Sequence, residues 1–159
     1  MSENDSSTLQ GVILPILTPL TDDGALDQEA FRRLIRRALA AGIGNIFVGG
    51  SAGMGPMLTE KQWMAVVATA AEETAGKARL LAGIIAPSTQ QALRQIELSR
   101  QAGCPAIVVT PTFYITLRRD DEMLAHFAAC RDATDQEMVI YNIPSCTQSV
   151  ISPAVVAEA

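Results

Sequence analysis

Residues 41–48 read AGIGNIFV, and residues 102–109 repeat their pattern as AGCPAIVV. Each stretch ends a predicted helix at a glycine, Gly42 or Gly103, and then enters an apolar run after a link of the same length. Two such helix-to-strand links predict a chain built from repeated β/α units. Chance similarity between short links is the alternative explanation.

The same alternation of strand and helix continues along the whole chain. Apolar segments start about 25 to 35 residues apart, which is the size of a βαβ unit. They are apolar throughout, as in parallel strands buried on both faces. We expect Asp27, Thr59, Ser88 and Ser152 to cap the helices that follow them. The predicted strands are residues 11–17, 45–48, 79–85, 106–110 and 138–141.

Five β/α units fit two α/β architectures. They could form an open flavodoxin-like sheet or the first part of a (β/α)8 barrel, and the periodicity does not decide between them. A complete barrel usually needs about 250 residues, whereas this chain has 159.

Composition and charge exclude several classes of protein. Hydrophobic residues make up 48% of the chain and charged residues 18%, which is typical of a globular domain. The net charge of −5 argues against nucleic acid or an anionic membrane as a partner. The three cysteines, Cys104, Cys130 and Cys146, fit neither a disulfide framework nor a metal site. We therefore expect free thiols in a reducing compartment, without a metal.

The N-terminal segment predicts a cytoplasmic location. Residues 1–10 are polar and acidic and lack the basic and apolar regions of a signal peptide. We expect a disordered tail over residues 1–10, followed by an incomplete (β/α)8 barrel domain over residues 11–159. No run of about 18 apolar residues predicts a transmembrane helix.

A glycine-rich loop follows the second predicted strand. Residues 48–58 read VGGSAGMGPML, with four glycines in seven positions. Glycines let backbone N–H groups approach a ligand, and Ser51 adds a hydroxyl, so the loop suits a carboxylate or phosphate. A merely tight turn explains the glycines equally well. The spacing matches neither the P-loop nor the dinucleotide fingerprint, so we do not expect a nucleotide.

A second informative stretch, YNIPS at residues 141–145, ends the fifth predicted strand. Asn-Ile-Pro is a strand-ending turn, so Tyr141 is expected at the carboxyl end of a strand. Catalytic groups of α/β barrels lie at that end, and a tyrosine there can transfer protons.

Taken in order, these motifs resemble the dihydrodipicolinate synthase/N-acetylneuraminate lyase family of class I aldolases. The matching segments are LTP (17–19), DG (23–24), Asp27, VGGSAG (48–53), LTE (58–60), VTP (109–111) and YNIPS (141–145). The resemblance implies a (β/α)8 barrel, usually a tetramer, that binds pyruvate or a related 2-keto acid and uses no cofactor. This chain would form the N-terminal portion of such a barrel, about five β/α units, and end before the sixth strand.

The resemblance also implies roles for individual residues. Tyr141 would relay protons to and from the substrate. Ser51 and Ala52 occupy the positions of a hydroxyl pair that binds the keto-acid carboxylate and helps the relay. The backbone of Gly50 and Gly53 would complete the substrate-binding loop.

The chain departs from the family pattern at several of these positions. Ala52 keeps a backbone N–H but lacks the second hydroxyl, and Met54 replaces the usual glutamate. Cys146 replaces the arginine with which dihydrodipicolinate synthases bind the carboxylate of their second substrate, which argues against that activity. A gapless alignment puts Phe113 where the family often has a relay tyrosine, and Tyr114 takes that substrate-binding place only if the loop shifts by one.

The most serious departure from the family pattern concerns the nucleophile. The family forms a Schiff base on a lysine of the sixth strand, about one β/α unit, or 30 residues, beyond Tyr141. The two lysines of this chain, Lys61 and Lys77, lie on predicted helices or at their ends.

The leading hypothesis is therefore that the chain is part of an aldolase/lyase that acts on a small 2-keto acid through a Schiff base. The enzyme would be a homo-oligomer, and its catalytic lysine would lie beyond this chain. The alternative is a catalytically inactive remnant that binds a small carboxylate or only assembles with itself. An independent flavodoxin-like domain is the third hypothesis.

His126 and a set of four arginines are expected to have structural roles. His126 lies on a predicted helix and is expected to be packed or at the surface, without a catalytic partner. Arg32, Arg33, Arg36 and Arg37 form a basic helix face that is expected to be solvated or to pair across a subunit contact.

Overall fold

The computed structural model describes residues 9–159, so most of the predicted disordered tail, residues 1–8, lies outside the described residues. The strands are β1 (Ile13–Pro15), β2 (Asn45–Val48), β3 (Arg79–Ile84), β4 (Ala106–Val109) and β5 (Glu137–Ile140). The helices are α1 (Gln28–Ala40), α2 (Glu60–Thr74), α3 (Thr89–Gln101), α4 (Asp120–Asp132), α5 (Pro144–Thr147) and α6 (Pro153–Glu158), and a short 3-10 helix spans Gly55–Met57.

The order of the strands decides between the two architectures. All neighbouring strands are parallel, and the sheet runs β1-β2-β3-β4-β5 in chain order. A flavodoxin-like sheet has the order 2-1-3-4-5, whereas consecutive neighbours are the rule in a (β/α)8 barrel. The five strands and their helices therefore form a part of a barrel, and the flavodoxin-like alternative is wrong.

Two apolar layers cover the two faces of the sheet. The layer between sheet and helices is the larger, and Phe31, Trp63 and Phe127 are its largest fully buried side chains. The opposite, inner face carries a smaller cluster. There Phe47 pairs in register with Leu81, and Leu81 pairs with Ala106, so one row of side chains crosses three strands. This burial on both faces explains why the strands are apolar throughout.

Several helix boundaries follow the predicted caps. The side chains of Asp27, Ser88 and Ser152 each accept a hydrogen bond from the first turn of the helix that follows. Thr59 and Gln62 form the complete capping box at α2. The first strand is shorter than predicted, because Gly11 takes a left-handed conformation at φ +80° and only Ile13–Pro15 pair with β2.

Two backbone contacts of the glycine-rich loop leave no room for a side chain. A Cβ on Gly55 would lie 1.8 Å from the Gly49 carbonyl oxygen, and a Cβ on Gly83 in β3 would lie 2.4 Å from the same oxygen. The loop therefore folds back on itself and rests directly on the backbone of β3. The indole N–H of Trp63 donates to the Gly83 carbonyl at 3.3 Å and completes the contact from the helix side.

An ion-pair cluster joins α1 to α2. Arg36 donates two hydrogen bonds to the buried carboxylate of Glu73, at 2.9 and 2.7 Å, and Arg32 donates a third at 2.8 Å. Arg32 also pairs with Glu72. Arg33 lies 3.7 Å from Glu29 on the same helix, so three of the four arginines predicted to be solvated or intermolecular pair within the chain.

None of the helices in the described part of the chain is long and apolar enough to cross a membrane.

Replacing Glu73 by glutamine is expected to destabilise the fold in a pH-dependent way. Hydrogen bonds from Arg36, and then from Arg32, lower the pKa of Glu73 from 4.5 to about 2 against the opposing effect of burial. Because the folded-state pKa lies below the unfolded one, the stabilisation is complete above about pH 5 and is lost as the pH falls toward 2. Arg36 is 55% exposed, so solvent screening reduces the effect and we expect E73Q to lower the free energy of unfolding at pH 7 by about 1–2 kcal/mol.

Urea unfolding at pH 7 and pH 3 measures this difference, which should shrink at the lower pH. E72Q is the control, since the side chain of Glu72 is 64% exposed and its loss should cost less than about 0.5 kcal/mol. An E73Q penalty that is equal at both pH values would contradict the assignment.

Gly55→Ala is expected to disrupt the glycine-rich loop. The added methyl group would overlap the backbone at Gly49, which cannot move without displacing the loop from β3, so we expect a loss of at least about 2 kcal/mol of stability. Gly44→Ala is the matched control, because a Cβ there meets nothing within 4 Å. Thermal unfolding of the two variants beside the unmodified protein checks this, and a G55A variant as stable as G44A would show that the contact is not a constraint.

Candidate functional site

Ser51, Ala52 and Tyr141 line one cleft on the inner face of the sheet. The cleft has a volume of about 300 Å³, and its floor includes Phe47 and Val108. Ser51 and Ala52 come from the loop after β2, and Tyr141 follows β5, so all three lie at the carboxyl ends of parallel strands. We call this the inner cleft. It brings together three of the residues that the sequence singled out.

The loop that lines the cleft carries unpaired backbone donors. Within residues 9–159, the N–H groups of Ser51, Ala52 and Gly53 donate no hydrogen bond, whereas those of Met54 and Gly55 bond back to Ser51 and Gly50. Consecutive free N–H groups form a concave nest that attracts a carboxylate. We call these three residues the 51–53 nest.

The nest is held in place from both sides. The Thr18 hydroxyl donates to the Gly53 carbonyl at 2.7 Å, and a Cβ on Gly53 would lie 2.8 Å from the Ile16 carbonyl oxygen. On the other side, Gly50 lies against the ring of Phe47, where a Cβ would come within 2.6 Å. Gly50 and Gly53 thus position the nest by close packing, and Gly53 also contributes a free N–H.

Tyr141 is fixed by its backbone and by its ring. Its N–H donates to the Val109 carbonyl at 2.8 Å, which extends the pairing of β4 and β5 by one residue. Its ring meets that of Phe47 edge-on, with the centroids 6.2 Å apart. The phenol is half-buried and faces the same cleft as Ser51.

Thr110 is a neighbour of Tyr141 that the sequence reasoning did not single out. Thr110 directly follows β4 and lies beside Tyr141, which directly follows β5. Because side chains alternate between the two faces of a strand, Thr110 faces inward like Ala106 and Val108. Its hydroxyl oxygen is buried and has no hydrogen-bond partner among the described residues. An unmade hydrogen bond of a buried hydroxyl is costly.

Phe113 and Tyr114 are placed differently. Phe113 lines a second cleft that also contains Ser51. Tyr114 is 93% exposed, with a left-handed φ of +72°, and it is not among the residues that line either cleft. A substrate-binding role for Tyr114 stays a prediction.

Neither lysine lies in the inner cleft. Lys61 is in the first turn of α2, on the helix layer. The ammonium of Lys77, just after the same helix, donates to the Glu73 carbonyl at 3.3 Å. The described residues therefore bring no amine to Tyr141.

His126 is a packed residue, as predicted. Its Nε2 lies 3.0 Å from the Thr110 carbonyl oxygen and its Nδ1 lies 3.0 Å from the Thr89 hydroxyl. Burial lowers its pKa and favours the neutral ring. A neutral ring with Nε2–H donating to Thr110 satisfies both contacts and ties α4 to the end of β4.

No group of three or more potential metal-ligating side chains is arranged to hold a metal ion within residues 9–159.

Comparison with known proteins gives consistent matches. The 4-hydroxy-tetrahydrodipicolinate synthase of Exiguobacterium sibiricum is 35% identical over 144 residues, which make up 90% of this chain and 48% of that protein. The crystal structure of dihydrodipicolinate synthase from Aquifex aeolicus superposes with a TM-score of 0.88 at 28% identity, covering 93% of this chain and 50% of that one.

A third match is YagE from E. coli K12, a prophage protein of the dihydrodipicolinic acid synthase family whose structure was solved in complex with pyruvate. It superposes with a TM-score of 0.87 at 26% identity, covering 92% of this chain and 49% of that one. The chain thus spans about half the length of the relatives it matches, and its five β/α units correspond to the N-terminal half of their barrels.

The family model for dihydrodipicolinate synthetases matches residues 8–158. That match covers nearly all of the sequence and agrees with the parallel strand order and the inner cleft, so the chain belongs to the dihydrodipicolinate synthetase family.

Proposed function

We propose that this chain forms the carboxylate-binding and proton-relay part of a lyase that acts on pyruvate or a similar 2-keto acid. One observation carries the proposal: Ser51, Ala52 and Tyr141 line a single cleft, and the N–H groups of the 51–53 nest donate no hydrogen bond within residues 9–159. The nest would hold the keto-acid carboxylate by charge-assisted hydrogen bonds. Pyruvate bound to YagE shows that a member of the family accepts this ligand.

The proposed reaction needs a lysine amine close to Tyr141, and neither Lys61 nor Lys77 lies in the inner cleft. In the proposed reaction a lysine outside residues 1–159 attacks the keto carbon and expels water, which gives a protonated imine. The imine withdraws electrons from the adjacent carbon, so that a carbon–carbon bond there can form or break. Tyr141 would carry the protons between the substrate and the leaving water, with Ser51 as its polar partner.

Ala52 limits the relay without abolishing binding. The side chain of alanine cannot pass a proton, but its backbone N–H remains available to the carboxylate. We therefore propose that binding is intact in this protein and that proton transfer depends on Tyr141 and Ser51. We further propose that the protein works as a cytoplasmic homo-oligomer, as the resemblance to its family implies.

Carboxylate binding can be tested on the 159-residue chain. Pyruvate should shift the amide NMR signals of Ser51, Ala52 and Gly53, and methyl pyruvate, which lacks the negative charge, should not. Ser51→Ala removes one hydrogen bond to a charged group, so we expect about tenfold weaker pyruvate binding.

Ser145→Ala is the matched control for that titration. Ser145 is exposed in α5 and does not line the inner cleft, so its loss should leave the affinity unchanged. Equal binding of pyruvate and its methyl ester, or equal affinities of S51A and S145A, would overturn the assignment of the nest.

Schiff-base formation is tested by borohydride trapping with pyruvate on the native protein, followed by intact-mass and peptide mapping. The expected result is one reduced adduct on a lysine that lies outside residues 1–159. An adduct on Lys61 or Lys77 would contradict the proposed geometry, since neither lies in the inner cleft. Nest binding with no adduct on any lysine would favour the inactive, carboxylate-binding alternative.

A further inference from the structure

His126 contacts the end of β4 from the helix layer. The residue is buried, and its Nε2 lies 3.0 Å from the Thr110 carbonyl oxygen. Thr110 is the first residue after β4, and Tyr141 is the first residue after the neighbouring strand β5. His126 therefore binds the backbone at the point beside which Tyr141 leaves the sheet.

The Thr110 carbonyl depends on this contact. Residue 111 is proline, so the peptide group that joins it to Thr110 has no N–H, and the carbonyl oxygen is the hydrogen-bonding atom of that group. Thr110 is 1% exposed, and a buried carbonyl without a donor is costly. Within residues 9–159, the donor that meets this carbonyl is the ring of His126.

The preceding peptide group connects the contact to Tyr141. The Val109 carbonyl accepts the N–H of Tyr141 at 2.8 Å. The N–H of Thr110 belongs to the same planar group and donates to the Ile84 carbonyl at 3.3 Å. Because that bond toward β3 is long, it restrains the group weakly. A shift of Thr110 would therefore turn the carbonyl that holds Tyr141.

Thr89 orients the ring of His126. Thr89 is the first residue of α3, and its hydroxyl lies 3.0 Å from Nδ1 of the ring. A hydroxyl that donates to Nδ1 leaves the ring proton on Nε2, where it faces the Thr110 carbonyl. The two hydrogen bonds then run in one direction, from Thr89 through the ring to Thr110, and such chains strengthen each member.

The surroundings keep the ring neutral. The other titratable group in contact with it is the free thiol of Cys130, whose Sγ lies 4.0 Å from Nε2. Burial raises the pKa of this thiol to about 11 and lowers the pKa of His126. Both groups are therefore neutral near pH 7, and the ring meets Thr110 as a donor without a charge.

We propose that His126 is a positioning residue for Tyr141. Acting through the Thr110 carbonyl, it holds the end of β4 in the place from which the Val109 carbonyl fixes the tyrosine in the inner cleft. The inference rests on the proposed function for one consequence, that Tyr141 moves protons more slowly when His126 is lost. The placement of Tyr141 rests on the hydrogen bonds themselves.

Amide hydrogen exchange on the 159-residue chain tests the placement. His126→Leu removes both hydrogen bonds of the ring, so we expect the Tyr141 amide to exchange at least about tenfold faster. His126→Gln keeps an N–H donor near the position of Nε2 and should restore the rate to within about twofold of the unmodified chain. The Ile16 amide, which donates to the Phe47 carbonyl at 2.8 Å at the β1 end of the sheet, should not change.

Phe127→Leu separates positioning from a general loss of stability. Phe127 is fully buried on the same helix, and its side chain has no hydrogen-bonding atom. F127L should speed exchange at Tyr141 and Ile16 alike, whereas H126L should act on Tyr141. Equal acceleration at both amides in H126L, no acceleration at Tyr141, or no recovery in H126Q would overturn the inference.

Nitrogen NMR of the His126 ring tests the same geometry without a substitution. In the unmodified chain at pH 7 we expect the signals of a neutral imidazole that carries its proton on Nε2. A neutral ring protonated on Nδ1 would overturn the inference, because Nε2 could then not donate to the Thr110 carbonyl.

The consequence for the relay is measured on the native protein with pyruvate in D2O. In the proposed reaction the imine of pyruvate gives a methyl proton to Tyr141, and the resulting enamine takes back a deuteron that Tyr141 has exchanged with the solvent. We expect H126L to slow the entry of deuterium into the methyl group at least about tenfold. The affinity for pyruvate should not change, since the 51–53 nest is held by Thr18 and Phe47.

The two arms distinguish the inference from the proposed function. An unmodified protein that binds no pyruvate and exchanges no deuterium would refute the proposed function, and the amide exchange of H126L would still decide the placement of Tyr141. Deuterium exchange as fast in H126L as in the unmodified protein would refute the role of His126 in the relay.

Discussion

The approach of the Gly49 carbonyl to the backbone at Gly55 and Gly83 is the constraint on which the candidate site depends. With distances of 1.8 and 2.4 Å to a hypothetical Cβ at these two positions, only glycine lets the loop close onto β3. The closed loop places Ser51 and Ala52 in the lining of the inner cleft. These two backbone contacts therefore fix the loop at which we propose that a carboxylate binds.

The strand order places the other half of the site. Because β4 and β5 are parallel neighbours in register, Thr110 and Tyr141 leave the sheet side by side, and the ring of Phe47 on β2 supports Tyr141 from across the inner face. Phe47 also limits the space above Gly50. The same aromatic ring thus contacts both the loop at Gly50 and the ring of Tyr141, and so connects the two sides of the cleft.

Much of this arrangement could be predicted from the sequence. Motifs with local physical causes, such as the caps at Asp27 and Thr59 and the five apolar strands, are confirmed. The strand order could not be predicted, because the periodicity is the same in an open sheet and in a barrel. The contacts of Thr18, Phe47 and Thr110 were also missed, since each depends on which strands become neighbours. Inward alternation along β2 and β4 was the signal that could have pointed to Phe47 and Thr110.

In the proposed function, binding and proton transfer depend on different parts of the chain. The nest consists of backbone N–H groups, so substitution of a side chain, as at Ala52, leaves its donors in place. Proton relay depends on hydroxyl groups, which a single substitution removes. Under this proposal, residues can change at Ala52, Met54 and Cys146 without removing the backbone donors, provided that the glycines at 49, 55 and 83 remain. The proposed carboxylate site thus depends on the glycine contacts that hold the loop, whereas the proposed proton relay depends on the side chains of Ser51 and Tyr141.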